Sequence, residues 1–440
     1  MSEVLPEEWR VTALENCVRI LDAQRVPINN EERQQRIEGK SESELFPYYG
    51  ATGQVGLIDS YLFDEELVAL GEDGVPFLDP LKNKAYLLVG KTWVNNHAHV
   101  LKAIEGVSTN KFLLYYLNQF DYQEYVNGAT RLKLTQANMR LMPVNVPPLA
   151  EQQEIATRLD DLLAQVDTIK SHLDAIPAIL KRFRQSVLAA AVSGKLFKNN
   201  TWEASTLAKI ADSRLGKMLD KQKNQGSPHL YLRNVNVRWF NFDLSDLLEI
   251  KVSDDELEQL YVRKGDILVC EGGEPGRCAI WKQENNQYIF QKALHRVRVK
   301  NGVLPEWICF ILKDAADTNK LDEYFTGTTI KHLTGQSLKQ LPIPLPSLEE
   351  QTEIVRRVEQ LFTFAEQIEQ QVQAAQARVN NLTQAILAKA FKGELTADWR
   401  AAHPELISGE NSAQALLDKI KAIPTPSKPK RSRAQQAELF

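Results

Sequence analysis

Cysteine is scarce in this chain, with four in 440 residues, at positions 17, 270, 278 and 309. So few thiols at such irregular spacing exclude a disulfide framework and a paired-cysteine zinc site, and all four are expected to be reduced and mostly packed. No run of eighteen apolar residues occurs, which excludes a helical membrane span. The opening Met-Ser-Glu-Val-Leu-Pro-Glu-Glu-Trp has neither the basic start nor the apolar core of a signal peptide, so a cytoplasmic protein without membrane association is expected. Excess positive charge is missing too. The formal net charge of −4 argues mildly against a nucleic-acid binder, although a global sum can hide local basic surfaces.

What is present is ordinary in bulk, 43% apolar and 25% charged, as in a soluble globular protein of two or three domains. The pattern is less ordinary. Ile155, Leu159, Leu162, Val166, Ile169, Leu173, Ile176, Leu180, Phe183 and Val187 form an apolar heptad seam, and a shift of 199 residues lands on Ile354, Val358, Leu361, Ala365, Ile368, Val372, Ala375, Val379, Leu382 and Ile386. A stripe that long and narrow is buried only against another such helix, and the chain supplies its own partner. The same shift carries Pro143, Leu149, Glu151, Gln152 and Glu154 onto Pro342, Leu348, Glu350, Gln351 and Glu353, and Glu124, Tyr125, Gly128, Thr130, Leu134 and Thr135 onto Glu323, Tyr324, Gly327, Thr329, Leu333 and Thr334. Prolines before each helix fix the approach of the chain and stop the helix growing backwards.

Trp9 and Leu14 match Trp202 and Leu207 in spacing, whereas residues 15–123 and 208–322 have diverged almost beyond alignment. Leu5-Pro-Glu-Glu-Trp9-Arg10 is echoed by Leu395-Thr-Ala-Asp-Trp399-Arg400, which suits a second helix that returns beside the N-terminal domain. Within the middles, Ala85–Gly90, Asp266–Cys270 and His295–Val299 read as strands, and Thr109–Phe120 and Pro305–Ala316 as helices. Each domain is therefore expected to be α+β. Beyond Ala422 a basic, proline-rich tail is expected to be disordered.

Catalytic signatures are weak. Gly50-Ala-Thr-Gly53-Gln-Val-Gly56 and Gly272-Gly273-Glu-Pro-Gly276 lack the Lys-Ser/Thr ending of a nucleotide loop and the full dinucleotide fingerprint, so tight turns are the better reading. Val146-Pro147-Pro148-Leu149 has the proline pair of amino-methylating enzymes, but valine precedes it and leucine follows where those enzymes carry an acid or amide and an aromatic. A helix lead-in explains it better. Fragments such as Asp79-Pro-Leu-Lys82 and Glu249-Ile-Lys251 fit a magnesium-dependent nuclease only as well as chance does, and His97 and His99 alone make no metal site.

What remains is a set of polar and basic residues near aromatics and glycines, of the types that read base edges or hold phosphates. In the first half these are Tyr48, Tyr49, Lys91, Asn95, Asn96, His97, His99, Lys102, Arg131 and Lys133. In the second they are Tyr231, Arg233, Asn234, Arg277, Lys292, His295, Arg296, Lys331 and His332. Solvated surface is the competing reading for each of them.

The duplicated Pro-x-x-x-Pro-Pro-Leu-Ala-Glu-Gln-Gln-Glu-Ile and Pro-Ser-Leu-Glu-Glu-Gln-Thr-Glu-Ile segments resemble the specificity subunits of Type I restriction-modification enzymes, in particular the enteric K-12-type (Type IA) subclass. Leu180-Lys-Arg-Phe-Arg-Gln-Ser-Val-Leu188, Asn380–Phe391 and Gly393-Glu-Leu-Thr396 carry the same resemblance, as do, in outline, Pro47–Gly53, Asn96–Lys102 and Gly265–Val269. The resemblance implies two mixed α/β target recognition domains, at 1–142 and 201–341. Two long antiparallel coiled-coil helices would separate them, at 143–200 and 342–400, with circular pseudo-two-fold symmetry and a tail at 401–440. It implies no catalysis and no cofactor on this chain, double-stranded DNA with a bipartite target as ligand, and two methylation subunits that use S-adenosylmethionine to methylate adenine N6. Two motor-nuclease subunits that use ATP and Mg2+ would complete the complex.

Elementary geometry agrees, since a helix from about Ala150 to Ala190 is roughly 60 Å long and sites one duplex turn apart lie roughly 34 Å from each other. Pro177, with Gln376 as its counterpart, is expected to kink the first helix where the second is straight. The diverged middles predict an asymmetric target. A DNA methyltransferase or nuclease acting alone and a plain coiled-coil assembly protein are the alternatives.

Overall fold

The computed structural model describes residues 5–196, 202–220, 224–284, 287–327 and 329–421, so the tail expected beyond Ala422 lies outside them. The chain forms two units, Met1–Leu173 with Ala374–Phe440, and Asp174–Gln373.

In the first unit a four-stranded antiparallel sheet runs in the order Val18–Ile20, Ala98–Ala103, Leu67–Gly71, Ala85–Leu88. Leu67–Gly71 is buried along its whole length and its side chains alternate between two cores, as a period of two requires. Val68 and Leu70 meet Phe112, Leu113, Tyr116 and Leu117 of the helix Asn110–Gln119. Leu67 and Ala69 face Phe63, Leu88 and Val94 toward a second small sheet, where Phe46–Gly50 lies parallel to Lys91–Val94 and antiparallel to Gly53–Ile58.

The second unit repeats the order of the four-stranded sheet, Ala211–Leu215, Leu294–Val299, Ile267–Cys270, Cys278–Ile280, and has a three-stranded small sheet with Ser227–Leu232 parallel to Ile289–Phe290 and antiparallel to Leu248–Val252. Ile267 and Val269 pack on Trp307, Ile308 and Leu312 of the helix Pro305–Asp317, while Leu268 and Cys270 face Leu232 and Phe290. The middles that sequence could barely align are one architecture with different side chains. All four cysteines are buried free thiols, and burial pushes Cys17 up to about 12.

Two helices of 44 residues, Leu149–Val192 and Leu348–Phe391, start and stop 199 residues apart. Local chemistry sets these ends. Ser347 and Glu350 form a reciprocal capping box, with Glu350 N donating to Ser347 Oγ (3.2 Å) and Ser347 N to Glu350 Oε2 (2.9 Å). Past the ends, Gly194 and Gly393 take positive φ, 74° and 79°, the left-handed cap that stops a helix. The first helix runs through Pro177 without interruption as a helical segment.

The duplicated heptads pair in each unit, and the pairing is antiparallel, as the family resemblance implies. Ile155 and Leu159 join Leu387, Ala390 and Phe391 in the first. In the second, Val187, Leu188 and Ala191 join Ile354, Val355 and Val358, and Arg184 pairs with Glu369 at 2.9 Å. The seam is not buried throughout, since Ile169 and Leu382 are 46% and 48% exposed. A heptad marks residues that share a stripe, and burial also needs something opposite.

The duplicated Glu-Gln pair joins helix to domain. Gln152 and Gln351 are fully buried; Gln152 Nε2 donates to the carbonyls of Val107 and Pro147, and Gln351 Nε2 to those of Gly302 and Pro346. Arg158 and Arg357 donate to the carbonyls of Leu395 and Leu196, the same bond 199 residues apart. The echo of the N-terminus closes the first unit. Glu151 accepts from Trp9 Nε1 (2.9 Å), Thr396 Oγ1 (2.7 Å) and Arg400 Nη1 (2.7 Å), so the Trp9 segment and its later echo meet at the start of one helix.

Candidate nucleic-acid interface

The end of the buried central strand organises each candidate site. In the first unit the strand Leu67–Gly71 runs into Glu72, Asp73 and Gly74, beside the turn at Gly50–Gly53; a Cβ on Gly71 would lie 2.8 Å from the Ala51 carbonyl, so the two turns touch through glycine. Asp73 Oδ1 holds His97 Nδ1 at 2.9 Å and Arg131 Nη2 at 2.8 Å. Glu72 holds Lys133 at 3.1 Å and Arg25 at 2.9 Å. Asn95 donates its amide to the Tyr49 carbonyl (3.1 Å) and accepts from the His97 amide (2.8 Å), while Asn96 is exposed. Tyr49 stacks on Tyr86 with ring centroids 5.5 Å apart. Asn95, Asn96, His97, Arg131 and Lys133 are thus brought together around two carboxylates.

Lys91 and Lys102 are not part of that group. Lys102 pairs with Glu65, before the other end of the strand, and Lys91 lies over the ring of Tyr61 at 4.7 Å. Tyr48 is buried, pairing with Trp93 across the parallel strands. His99 is 1% exposed, held between Asp22 Oδ2 (2.7 Å) and the Leu134 carbonyl (2.9 Å). Burial raises the Asp22 carboxyl, but the hydrogen bond and charge of His99, with Val100 N and Gln136, outweigh it and hold Asp22 below the ordinary range.

The second unit builds the equivalent place from different residues. The strand Ile267–Cys270 runs into Glu271 and the turn Gly272–Gly276, with Gly273 and Gly276 at φ 80° and 90°. Asn234 lies against Gly273, His332 against Gly272, and Arg277 donates Nη2 to the Asn234 carbonyl at 2.9 Å. Lys292 is exposed at the turn before Leu294–Val299, and Lys331 pairs with Asp322 at 2.7 Å. Arg233 donates to Asp246 at 2.6 Å. Arg296 lies apart, donating to the Gln259 carbonyl and over the ring of Phe290 at 5.8 Å. Tyr231 and His295 are buried.

Strand register makes several of these residues counterparts. Tyr48 and Tyr231 occupy one position of the parallel pair, opposite Trp93 and Ile289. His99 and His295 lie opposite Leu70 and Val269, and both hold the carbonyl of a duplicated leucine, Leu134 or Leu333, at 2.9 Å. These buried four hold the scaffold, and Lys133 and His332 are exposed at matching places. Sequence reading missed Glu72, Asp73 and Arg25, for which no local signal existed: the carboxylates matter only because residues 131 and 133 fold back over them.

Burial lowers the His295 imidazole, against the raising effects of its bond to the Leu333 carbonyl and the charge of Glu271. A depressed histidine contributes stability that is complete above its unfolded value of about 6.5 and is lost as pH falls below it. The second unit is therefore expected to unfold in lower denaturant at about pH 5 than at about pH 7, and His295→Gln, which keeps a donor for that carbonyl, will reduce the difference. An undiminished difference in the variant would assign the acid sensitivity elsewhere.

Among the described residues no group of three or more His, Cys, Asp or Glu is placed to hold a metal ion, and no helix is long and apolar enough to cross a membrane. The family model described as "Type I restriction modification DNA specificity domain" matches residues 6–178 and 199–375. The chain belongs to that family. It is 43% identical to the EcoKI specificity subunit of Escherichia coli K12 and 43% identical to the EcoBI specificity subunit of Escherichia coli, spanning about two thirds of each, 67% and 64% of their lengths. To the EcoDI specificity subunit of Escherichia coli it is 31% identical over 95% of this chain and 96% of that one. Among solved structures, one from a study of complex assembly and conformational transition in the type I R-M system superposes with a TM-score of 0.66 at 18% identity, over 89% of this chain and all of that one. The HsdS subunit from Thermoanaerobacter tengcongensis superposes at 0.55 and 17% identity, over 89% of this chain and 98% of that one. The fold is shared with both. Membership of a DNA specificity family, of the enteric Type IA kind, makes sequence recognition the role of this chain and removes the reading of it as a methyltransferase or nuclease in its own right.

Proposed function

We propose that this chain is the DNA-reading subunit of a cytoplasmic Type I restriction-modification complex, with recognition domains at 1–142 and 201–341 that each read one half of an asymmetric bipartite duplex target. The spacer segments 143–200 and 342–400 set the gap between the half-sites and dock two methylation subunits. Those subunits supply S-adenosylmethionine chemistry on adenine, and two motor-nuclease subunits supply ATP- and Mg2+-dependent cleavage; this chain supplies base contacts and little of the phosphate neutralisation, which suits its acidic total. The observation that carries the reading is a single scaffold built twice with different polar side chains at the end of its central strand. From the residues named at the outset, the half-buried His97 and the exposed Asn96, Arg131, Lys133, Lys292, Lys331 and His332 at that strand end are the proposed DNA contacts.

Exchange of residues 15–123 for those of a relative with another target tests it. Methylation profiling of host DNA by single-molecule sequencing is expected to show one half-site changed and the other kept. Retention of the whole original target would remove the assignment of the first domain.

A further inference from the structure

The two units present opposite chemistry at one position of the shared scaffold. Arg131 follows Gly128 by three residues, and Ile330 follows Gly327 by three. Both glycines have positive φ, 112° and 90°, and a Cβ on either would come within 2.4 Å and 2.3 Å of the carbonyl oxygen of Arg131 and Ile330, so both tips have a backbone shape that needs glycine. Each tip is tied down just beyond: the Leu134 and Leu333 amides donate to the carbonyls of Glu72 and Glu271 at 2.8 Å, and His99 and His295 hold the carbonyls of the same leucines. On this common mount the Arg131 side chain is 65% exposed and Ile330 is 65% exposed.

We propose that Arg131 and Ile330 are specificity-determining residues at corresponding positions of the two half-sites, Arg131 reading a guanine and Ile330 a thymine. The proposal rests on the reading of the two units as DNA-reading heads. Asp73 engages one Nη2 hydrogen of Arg131 and orients the guanidinium plane, and the remaining Nη1 and Nη2 hydrogens form the fork that matches O6 and N7 of guanine. Ile330 can neither donate nor accept a hydrogen bond. The apolar group that base edges offer in the major groove is the thymine C5 methyl, and packing against it takes the exposed aliphatic surface out of water. Lys331 and His332, next in sequence, are exposed cationic or titratable neighbours suited to the phosphate beside that base. Two heads with one frame thus ask different questions at the same place.

The test uses the complex of the full chain with its methylation subunits, bound to its methylated target sequence with each guanine replaced in turn by 7-deazaguanine and each thymine by deoxyuridine. One 7-deazaguanine position in one half is expected to weaken wild-type binding roughly tenfold and to have no effect on Arg131→Ala; one deoxyuridine position in the other half is expected to weaken it several-fold and to have none on Ile330→Ala. Both side chains are exposed, and equal thermal unfolding of the variants confirms intact folds. A bipartite sensitivity pattern unchanged by either substitution would overturn this assignment alone. A wild-type complex that binds every duplex alike would overturn the DNA-reading role beneath it, and the assignment with it.

Discussion

Glu151→Ala will destabilise the first unit by about 3–5 kcal/mol, seen as loss of hydrogen-exchange protection in residues 5–13 and 393–403 of the full chain. The carboxylate is fully buried and accepts three hydrogen bonds, from Trp9, Thr396 and Arg400, whose side chain is only 12% exposed. Alanine would leave Arg400 Nη1, Trp9 Nε1 and Thr396 Oγ1 without their acceptor and a mostly buried guanidinium without its main counter-charge. Burial pushes the Glu151 carboxyl up in spite of its bonds to Thr396, Trp9 and Arg400, which means desolvation offsets what the ion pair gains. Removing both charges together is therefore far less costly than removing one. Glu151→Leu with Arg400→Met is expected to recover more than half of the loss. Equal destabilisation by the single and double variants would show that packing, not charge, governs this junction.

Four residues inserted after Ile169 will change the distance between the half-sites or abolish recognition. A helical insertion of four lengthens the rod by about 6 Å, close to two base-pair steps of a duplex that rises roughly 34 Å per turn. Ile169 is 46% exposed, so the insertion removes little buried surface at its own site. Methylation profiling of a host carrying the longer chain reads the gap directly. An unaltered gap would mean that the helices do not measure distance.

Much of this molecule was legible because its signals are local. The helices begin after Pro-rich leads and end before Gly194 and Gly393, and the expected bounds of about 150 and 190 fall within two residues of Leu149 and Val192. Thr109–Phe120 read as a helix is Asn110–Gln119 with Thr109 as its N-cap, the Phe112 amide donating to Thr109 Oγ1 at 3.2 Å. Glycine stretches read as turns join consecutive strands at Gly50–Gly53 and Gly272–Gly276.

Burial of single polar residues was not legible. Tyr48, Tyr231, His99 and His295 have the composition of contact residues, yet a strand side chain is covered or free according to which element lies over that face, a matter of partners dozens of residues away.

By itself, then, the order of residues determined the duplication, the lengths and ends of the two rods, the seams by which they pair and the family to which the chain belongs, because periodicity, caps and repeats act over a few turns. Tertiary structure alone decided that the diverged middles share one strand order in their larger sheets, that Arg131 meets Asp73 across 58 positions, and that Trp9 and Arg400 converge on Glu151. Those outcomes come from long-range pairing and desolvation, which no short window of sequence contains.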